Sequence, residues 1–373
     1  MKRMRSLKVI ATGLIILASL WLASQAEASQ DATEPGSPFE QEVANETCLA
    51  CHATPGMQTT LPSGEILYLT VDPQVYAESV HGQQGYACVQ CHTDIRAYPH
   101  RPLTAQTRRD VTLLYYQNCA RCHQDKYQAT LDSVHQEALA EGKKEAAVCT
   151  DCHGYHDVSK PDEPRTKIPQ TCERCHALIY QEYAGSVHGS ALIGEGNPDV
   201  PTCIDCHGVH NVSGPSSGPF HLYSPQICAT CHADKALMAK YGINTDVFET
   251  YVADFHGTSV IFAQKYPGQE TNKPVCIDCH GVHNMKKVDD LESQVIKQNL
   301  ITTCRRCHPN AAPSFADAWL GHYTPDASRY PIVYYVNLFY QIFIPTVLGG
   351  MAIFVIGDVS RRLINRRRKP VHD

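Results

Sequence analysis

All 18 cysteines of this 373-residue chain fall into a single pattern, C-x-x-C-H, which occurs nine times with none left over. A disulfide framework or C-x-x-C zinc sites would not require a histidine after every second cysteine. The pattern is the attachment signal for c-type haem. We number the motifs 1 to 9 in chain order, and their cysteine pairs are Cys48 and Cys51, Cys88 and Cys91, Cys119 and Cys122, Cys149 and Cys152, Cys172 and Cys175, Cys203 and Cys206, Cys228 and Cys231, Cys276 and Cys279, and Cys304 and Cys307. Their histidines are His52, His92, His123, His153, His176, His207, His232, His280 and His308.

The number of motifs limits what the chain can fold into. Two thiols at this spacing can bond to the two vinyl groups of one porphyrin, and the following histidine can bind the iron. Between Ser29 and Tyr330 there are about 34 residues for each of nine haems. That is too little polypeptide to build conventional cores as well. We therefore predict a mainly α fold with much irregular loop, in which the haems form the core.

Further histidines recur at fixed places around the motifs. From His81 onward the chain repeats the series histidine, motif, histidine, motif, and such periods indicate a repeat architecture. In Cys203–His210 and Cys276–His283 the second histidine is too close in sequence to reach the far face of the same ring, so we expect it to bind a neighbouring haem. The nine candidates for the second axial ligand are His81, His100, His135, His156, His188, His210, His256, His283 and His322.

One member of this set has an alternative. His100 follows its motif by eight residues rather than three, and His221, outside the repeat, is its natural substitute. If two imidazoles fill both axial positions of every iron, no iron is open to substrate. The methionines Met57, Met238 and Met285 do not follow the repeat, so His/Met ligation is not indicated.

The charge of the middle of the chain limits the possible partners. Residues 29–330 carry 22 Lys and Arg against 35 Asp and Glu, a net charge of −13. This disfavours nucleic-acid binding and favours a redox partner with a basic face, although a negative surface also simply maintains solubility.

The two ends of the chain predict export and membrane anchoring. Residues 1–28 have a basic start, an apolar run and a small-x-small ending, the pattern of a signal peptide, with an uncleaved anchor as the alternative. The haem domain would then span 29–330, with repeats from residue 81, and a transmembrane helix 331–357 would follow, because Ile332–Ile356 carries no charge. By the positive-inside rule, the basic residues of 358–373 predict that the tail lies in the cytoplasm and the haems on the periplasmic or exterior face.

The apolar segment also carries a stripe of polar and small residues, namely Gln341, Pro345 and Gly349. Such a stripe predicts an integral-membrane partner, unless these residues simply face lipid.

The nine motifs, the Ser-Val-His-Gly stretches and the Cys-His-Gly-x-His stretches resemble those of multihaem cytochromes c of the cytochrome c3 and tetrahaem-like kind. The likeness covers roughly Cys48 to His308. The segment Tyr334–Tyr340 is similar to the start of the C-terminal helix in membrane-anchored members. The resemblance implies electron transfer between a quinone-reactive membrane partner, such as a b-type cytochrome or another quinol-oxidising subunit, and a periplasmic acceptor or donor.

Three functions follow from these features. The leading hypothesis is a membrane-anchored carrier that moves single electrons through nine covalently attached haems c and has no catalytic residues. The alternative is a multihaem reductase or dehydrogenase acting on a nitrogen or sulfur oxyanion at one open haem. Related nitrite reductases often have lysine in place of the motif histidine, a variant absent from the nine motifs here. A subunit of a larger conduit or filament is the third possibility.

Overall fold

The computed structural model describes residues 43–214, 218–266, 273–318, 321–322, 324–328 and 330–367. The predicted signal peptide 1–28 and the end of the basic tail, residues 368–373, lie outside these ranges. The chain divides into two compact units. Unit 1 consists of the described residues up to Asp125 together with Val148–Lys160, and unit 2 consists of Lys126–Ala147 and the residues from Pro161 onward. Unit 1 therefore contains motifs 1 to 4, and unit 2 contains motifs 5 to 9.

Unit 1 is made of short helices and one small hairpin. Its strands β1 (Gln58–Thr60) and β2 (Ile66–Tyr68) are antiparallel, with Thr59 opposite Leu67. Its helices are α1 (Asn45–His52), α2 (Pro73–Glu78), α3 (Val80–Gln83), α4 (Cys88–Cys91), α5 (Arg108–Tyr115) and α8 (Cys149–His153), with a 3₁₀ segment at Tyr116–Arg121.

Unit 2 consists of helices joined by loops, with no strand among its described residues. It comprises α6 (Gln124–Thr130, which begins at the end of unit 1), α7 (Val134–Ala140), α9 (Lys167–Glu173), α10 (Ala177–Ala184), α11 (Val187–Glu195), α12 (Cys203–His207), α13 (Gly218–His232), α14 (Lys235–Ala239), α15 (Val247–Ala253), α16 (Phe255–Lys265), α17 (Cys276–His280), α18 (Lys297–Arg305), a 3₁₀ segment at Pro313–Ala318, and α19 (Pro331–Arg367). The predicted mainly α fold with much irregular loop is confirmed.

The polypeptide builds little conventional core. Among the described residues, 14 hydrophobic side chains are buried, and the one cluster they form contains Leu222, Tyr251, Val260, Ala263 and Val275. By contrast Leu178, Tyr155 and Phe255 are more than 70 % exposed although each lies close to a motif or candidate histidine. A chain of this length normally buries far more of its apolar surface than this. The shortage is what we expect where bound cofactors complete the interior.

The C-terminal helix α19 is long and apolar enough to cross a membrane. The helix has 37 residues, and its most apolar stretch is not buried against the rest of the chain. It continues beyond the predicted span of 331–357 as far as Arg367, because the basic residues that follow are good helix formers. Arg362 bonds Asp358 at 2.7 Å one turn earlier, which helps to continue the helix.

Candidate haem-attachment motifs and histidine pairs

Each even-numbered motif from 4 to 8 is a single helical turn held by its own third residue. In motif 6 the Asp205 carboxylate accepts hydrogen bonds from the backbone N–H of Thr202 at 2.6 Å and from its hydroxyl at 2.8 Å. Asp151 and Asp278 accept the corresponding backbone bonds in motifs 4 and 8, each at 2.7 Å. A side-chain acceptor at this place satisfies an N–H that the first turn of a helix leaves unpaired. The aspartate therefore fixes the turn that carries both cysteines.

The two cysteines of a motif differ in their exposure. The first cysteine is half-buried in all nine motifs, from Cys48 to Cys304. The second cysteine is exposed in seven of them, namely Cys51, Cys91, Cys122, Cys152, Cys175, Cys206 and Cys307, and it is half-buried in the other two, Cys231 and Cys279. A surface thiol is open to the vinyl group of a porphyrin that lies against the outside of the turn. The role of these cysteines in haem attachment stays a prediction from the sequence.

A glycine ends each of these turns and directs the chain toward the next histidine. Gly154, Gly208 and Gly281 have φ of 76°, 81° and 85°, with ψ close to 180°. This region is open essentially only to glycine. A Cβ on Gly281 would lie 2.5 Å from Asn284 Oδ1 and 3.0 Å from Gln294 Nε2. The Cys-His-Gly-x-His stretch is thus a defined turn that presents its second histidine away from its own motif.

The histidines that precede the even motifs lie in the first turn of separate helices. Ser79, Ser133 and Ser186 each accept a hydrogen bond from a backbone N–H three residues later, at 3.0 to 3.1 Å. The twelve-residue spacing from His123 to His135 and from His176 to His188 predicts one helix of about three turns in each segment, and this prediction is wrong. Between His123 and His135 the chain forms α6 and then starts α7. Between His176 and His188 it forms α10 and then starts α11, because Ser186 caps a new helix.

Tyrosines position the even motifs relative to these helices. The Tyr183 hydroxyl donates to the carbonyl of Pro201, two residues before motif 6, at 2.8 Å. Tyr251 makes the same bond to Pro274, two residues before motif 8, at 2.9 Å. Burial raises the pKa of the corresponding Tyr76 to about 12, so its hydroxyl keeps the proton that it donates.

Backbone hydrogen bonds join the two kinds of candidate histidine segment. The N–H of Val187, next to His188, donates to the carbonyl of Met285, two residues after His283, at 2.8 Å. The same bond recurs from Val80 to Val158 at 2.8 Å and from Val134 to Val212 at 2.9 Å. Each bond holds one Ser-Val-His stretch beside the chain that follows a Cys-His-Gly-x-His stretch.

Eight motif histidines lie beside eight of the candidate second ligands, and in every case the ring centroids are 6.0 to 6.3 Å apart. The pairs in unit 1 are His52–His100, His92–His156 and His123–His81. The pairs in unit 2 are His176–His135, His207–His283, His232–His188, His280–His322 and His308–His256.

This separation fits two imidazoles that share one haem iron. A metal–imidazole bond of about 2.0 Å, with the ring centre roughly 1.1 Å behind the nitrogen, places opposed ring centres about 6.2 Å apart. Rings in van der Waals contact would be closer. Arg165 Nε supports the same interpretation: it is buried without a hydrogen-bond partner among the described residues, and a haem propionate is an acceptor it could bind. The residues present therefore fit the group that the motifs predict.

The pairs follow a simple register along the sequence repeat. The first histidine of each repeat lies beside the last motif histidine of the same repeat, as in His188–His232. His156 and His283 instead lie beside the first motif histidine of the preceding repeat, namely His92 and His207. The second histidine of motif 8's stretch is therefore not beside its own motif.

Two predicted ligands, one in each unit, are not among these eight pairs. His153, in α8 of unit 1, and His210, after α12 of unit 2, both make interactions within the protein, and their role as ligands stays a prediction from the sequence. His100, the least regular candidate, is parallel to His52 within 3°. His221 is instead 3.0 Å from the Asp278 carboxylate, in motif 8. This arrangement favours His100 over His221 as the candidate for motif 1.

Burial favours the neutral form of two candidate histidines, His156 and His188, by lowering their pKa. Desolvation, followed by the neighbouring His92, lowers the pKa of His156 to about 4. Desolvation and then His232 lower the pKa of His188 to about 4. A neutral imidazole has the lone pair that ligation requires.

Contacts between cysteines show which motifs are neighbours within each unit. The first cysteines of motifs 1 and 2 and of motifs 3 and 4 are in side-chain hydrogen-bond contact, as are those of motifs 5 and 6 and of motifs 7 and 8. The second cysteine of an even motif lies near the next motif: desolvation and then the Cys228 thiol raise the pKa of Cys206 to about 11. Corresponding influences link Cys91 to Cys122, and Cys279 to Cys304. Within each unit, consecutive motifs are therefore spatial neighbours. An odd motif meets the next even motif through their first cysteines, and an even motif meets the next odd motif through its second cysteine.

Comparison with known proteins agrees with this architecture over part of the chain. The fold, together with a match to a family model over residues 80–177, supports a multihaem c-type cytochrome, a class of electron-transfer protein with covalently attached haem. The matching family is cytochrome c3, and the matched segment runs from the helix of His81 through motif 5. No curated protein and no solved structure matches the chain.

Proposed function

We propose that this protein is a membrane-anchored electron carrier that moves single electrons through nine c-type haems. The observation that supports it most strongly is the set of eight histidine pairs at 6.0 to 6.3 Å, the separation of two axial ligands. When bound, haem iron supplies reversible one-electron chemistry. The paired histidines would hold each iron from two sides, which would leave no open coordination site at these pairs.

The chain's own residues supply attachment, order and environment. The cysteines would tether the haems, and the alternating contacts keep consecutive motifs together within each unit. Two imidazole ligands would also keep the reduction potential of each haem low, because neutral nitrogen ligands favour the ferric state more than a thioether does. This arrangement suits passage of electrons along a series of sites better than catalysis at one site.

The C-terminal helix supports a location at the cytoplasmic membrane. Helix α19 exposes Ile342, Phe343 and Leu348 by 62 %, 47 % and 60 % within the chain, a surface that lipid or another membrane helix would cover. With the basic end in the cytoplasm, the haem domain faces the periplasm or the exterior. The stripe of Gln341, Pro345 and Gly349 is the proposed contact with an integral-membrane redox partner, a b-type cytochrome or another quinol-oxidising subunit. Electrons would pass between the quinone pool and a periplasmic acceptor or donor.

The test combines haem counting with spectroscopy on the full chain in membranes. Mass spectrometry of the mature protein should give a mass increase of nine haems. Electron paramagnetic resonance of the oxidised protein should show only low-spin ferric haem. A high-spin signal that changes on adding nitrite or sulfite would refute the carrier function and support the alternative, a reductase or dehydrogenase acting on a nitrogen or sulfur oxyanion.

A further inference from the structure

Three side-chain contacts, two of them Arg–Asp ion pairs, connect neighbouring attachment motifs, and each uses the aspartate that holds a motif turn. Arg109 bonds both oxygens of Asp151, in motif 4, at 2.8 and 3.0 Å. Arg165 bonds Asp205, in motif 6, at 2.8 Å. The third pair joins His221 to Asp278, in motif 8, at 3.0 Å.

The basic partner in each case comes from the chain just before the preceding, odd-numbered motif. Arg165 and His221 each lie seven residues before the first cysteine of their motif, in matching sequences that continue with Pro-Gln-x-Cys. His221 is therefore the equivalent of Arg165 in the repeat. Arg109 lies ten residues before motif 3. Each of these three contacts thus joins the same two motifs whose first cysteines are in contact.

Motif 2 differs at both positions of this arrangement. Its third residue is Gln90, which accepts from Ala87 N–H at 2.8 Å and carries no charge. In place of a basic residue, the Asn45 amide oxygen accepts from the Cys88 N–H at 2.8 Å. Where the motif has no carboxylate, the partner is therefore neutral too. This correspondence indicates that the basic residue is matched to the aspartate.

We propose that Arg109, Arg165 and His221 are positioning residues that hold motifs 3 and 4, 5 and 6, and 7 and 8 together in pairs, and that the two arginines also neutralise the aspartates of motifs 4 and 6. The inference rests on the proposed electron-transfer function, since it concerns the spacing and charge around the attached haems. A carboxylate without its cation would stabilise the ferric state of a nearby haem and lower its reduction potential. Loss of the partner would also remove one of the contacts that hold the motif turn against the preceding motif.

Arg109→Met is the most informative substitution, because the chain provides a matched control beside it. Arg109 is 16 % exposed and pairs with a motif, whereas Arg108, on the same helix, is 59 % exposed and pairs with Glu65 in a loop. In the haem-loaded protein, Arg109→Met should increase amide hydrogen exchange over residues 148–154 by about tenfold. It should also shift part of the reductive titration to lower potential. Arg108→Met should change neither the hydrogen exchange nor the titration.

Rescue variants separate positioning from a general loss of structure. Both bonds to Asp151 come from one nitrogen of Arg109, so Arg109→Lys should restore exchange and potentials. The double variant Arg109→Met/Asp151→Asn should restore the potentials but not the slow exchange. If the wild type carries nine low-spin haems and Arg109→Met behaves like Arg108→Met, the proposed pairing role is refuted while the electron-carrier function stands.

A second pair keeps the proposal testable if Arg109→Met fails to mature. His221→Arg introduces the side chain that the repeat has at Arg165, and it should keep the contact with Asp278 and leave haem content and hydrogen exchange at wild-type values. His221→Leu removes the contact and should increase hydrogen exchange over residues 275–281. Identical behaviour of the two variants would overturn the assignment.

Discussion

Substituting the glycine that ends motif 8 should destabilise the protein through its backbone. Gly281 has φ of 85° and ψ of 171°, and a Cβ there would crowd Asn284 and Gln294. Holding a residue other than glycine in such a region costs about 1–3 kcal/mol. For a unit of this size, each kcal/mol lowers the melting temperature by about 2–4 °C. Gly281→Ala should therefore melt several degrees below wild type.

Gly194→Ala is the matched control for this substitution. Gly194 lies exposed within α11, in the same unit, and a Cβ there would meet nothing within 4 Å. Alanine in a helix interior is favoured over glycine by up to about 1 kcal/mol, so this variant should melt at or above the wild-type temperature.

The assay is thermal unfolding of the haem-loaded protein, followed by circular dichroism in the haem absorption region. Because the Gly281 turn presents His283 toward His207, Gly281→Ala should also weaken ligation at motif 6 and produce a high-spin fraction. If Gly281→Ala melted no lower than Gly194→Ala, the turn would not be under the backbone constraint described above.

Three other outcomes are expected. His100→Ala should convert one haem to high spin in electron paramagnetic resonance, whereas His221→Arg should convert none; the opposite result would reassign the ligand of motif 1. The oxidised spectrum should contain both rhombic and strongly anisotropic low-spin signals, since His52–His100 is parallel within 3° and His188–His232 is tilted by 57°; a single uniform signal would contradict these ring orientations. Truncation after Tyr330 should give a soluble, fully haem-loaded protein by fractionation and mass spectrometry, and haem loss would mean that the haem domain depends on α19.

Local features of the site could be predicted from the sequence, because they depend on residues close together in the chain. The attachment motifs, the mainly helical fold and the apolar C-terminal segment all follow from spacing or composition. The break before His188 was missed, although Ser186 is a strong cap residue and gave a usable signal. The division into two units could not be predicted, because Lys126–Ala147 and Val148–Lys160 are adjacent in sequence but belong to different units. Nothing local in the sequence marks which long-range contacts each segment makes.

The two irregular histidines show why residue type alone was insufficient. His100 departs from the usual spacing and His221 falls outside the repeat, so the spacing alone could not decide between them. The aligned Pro-Gln-x-Cys sequences contained the missing information, because they make His221 the counterpart of an arginine, Arg165, which cannot ligate iron. A histidine in that position serves as the partner of Asp278. Its place in the repeat, rather than its capacity to bind metal, therefore indicates its role.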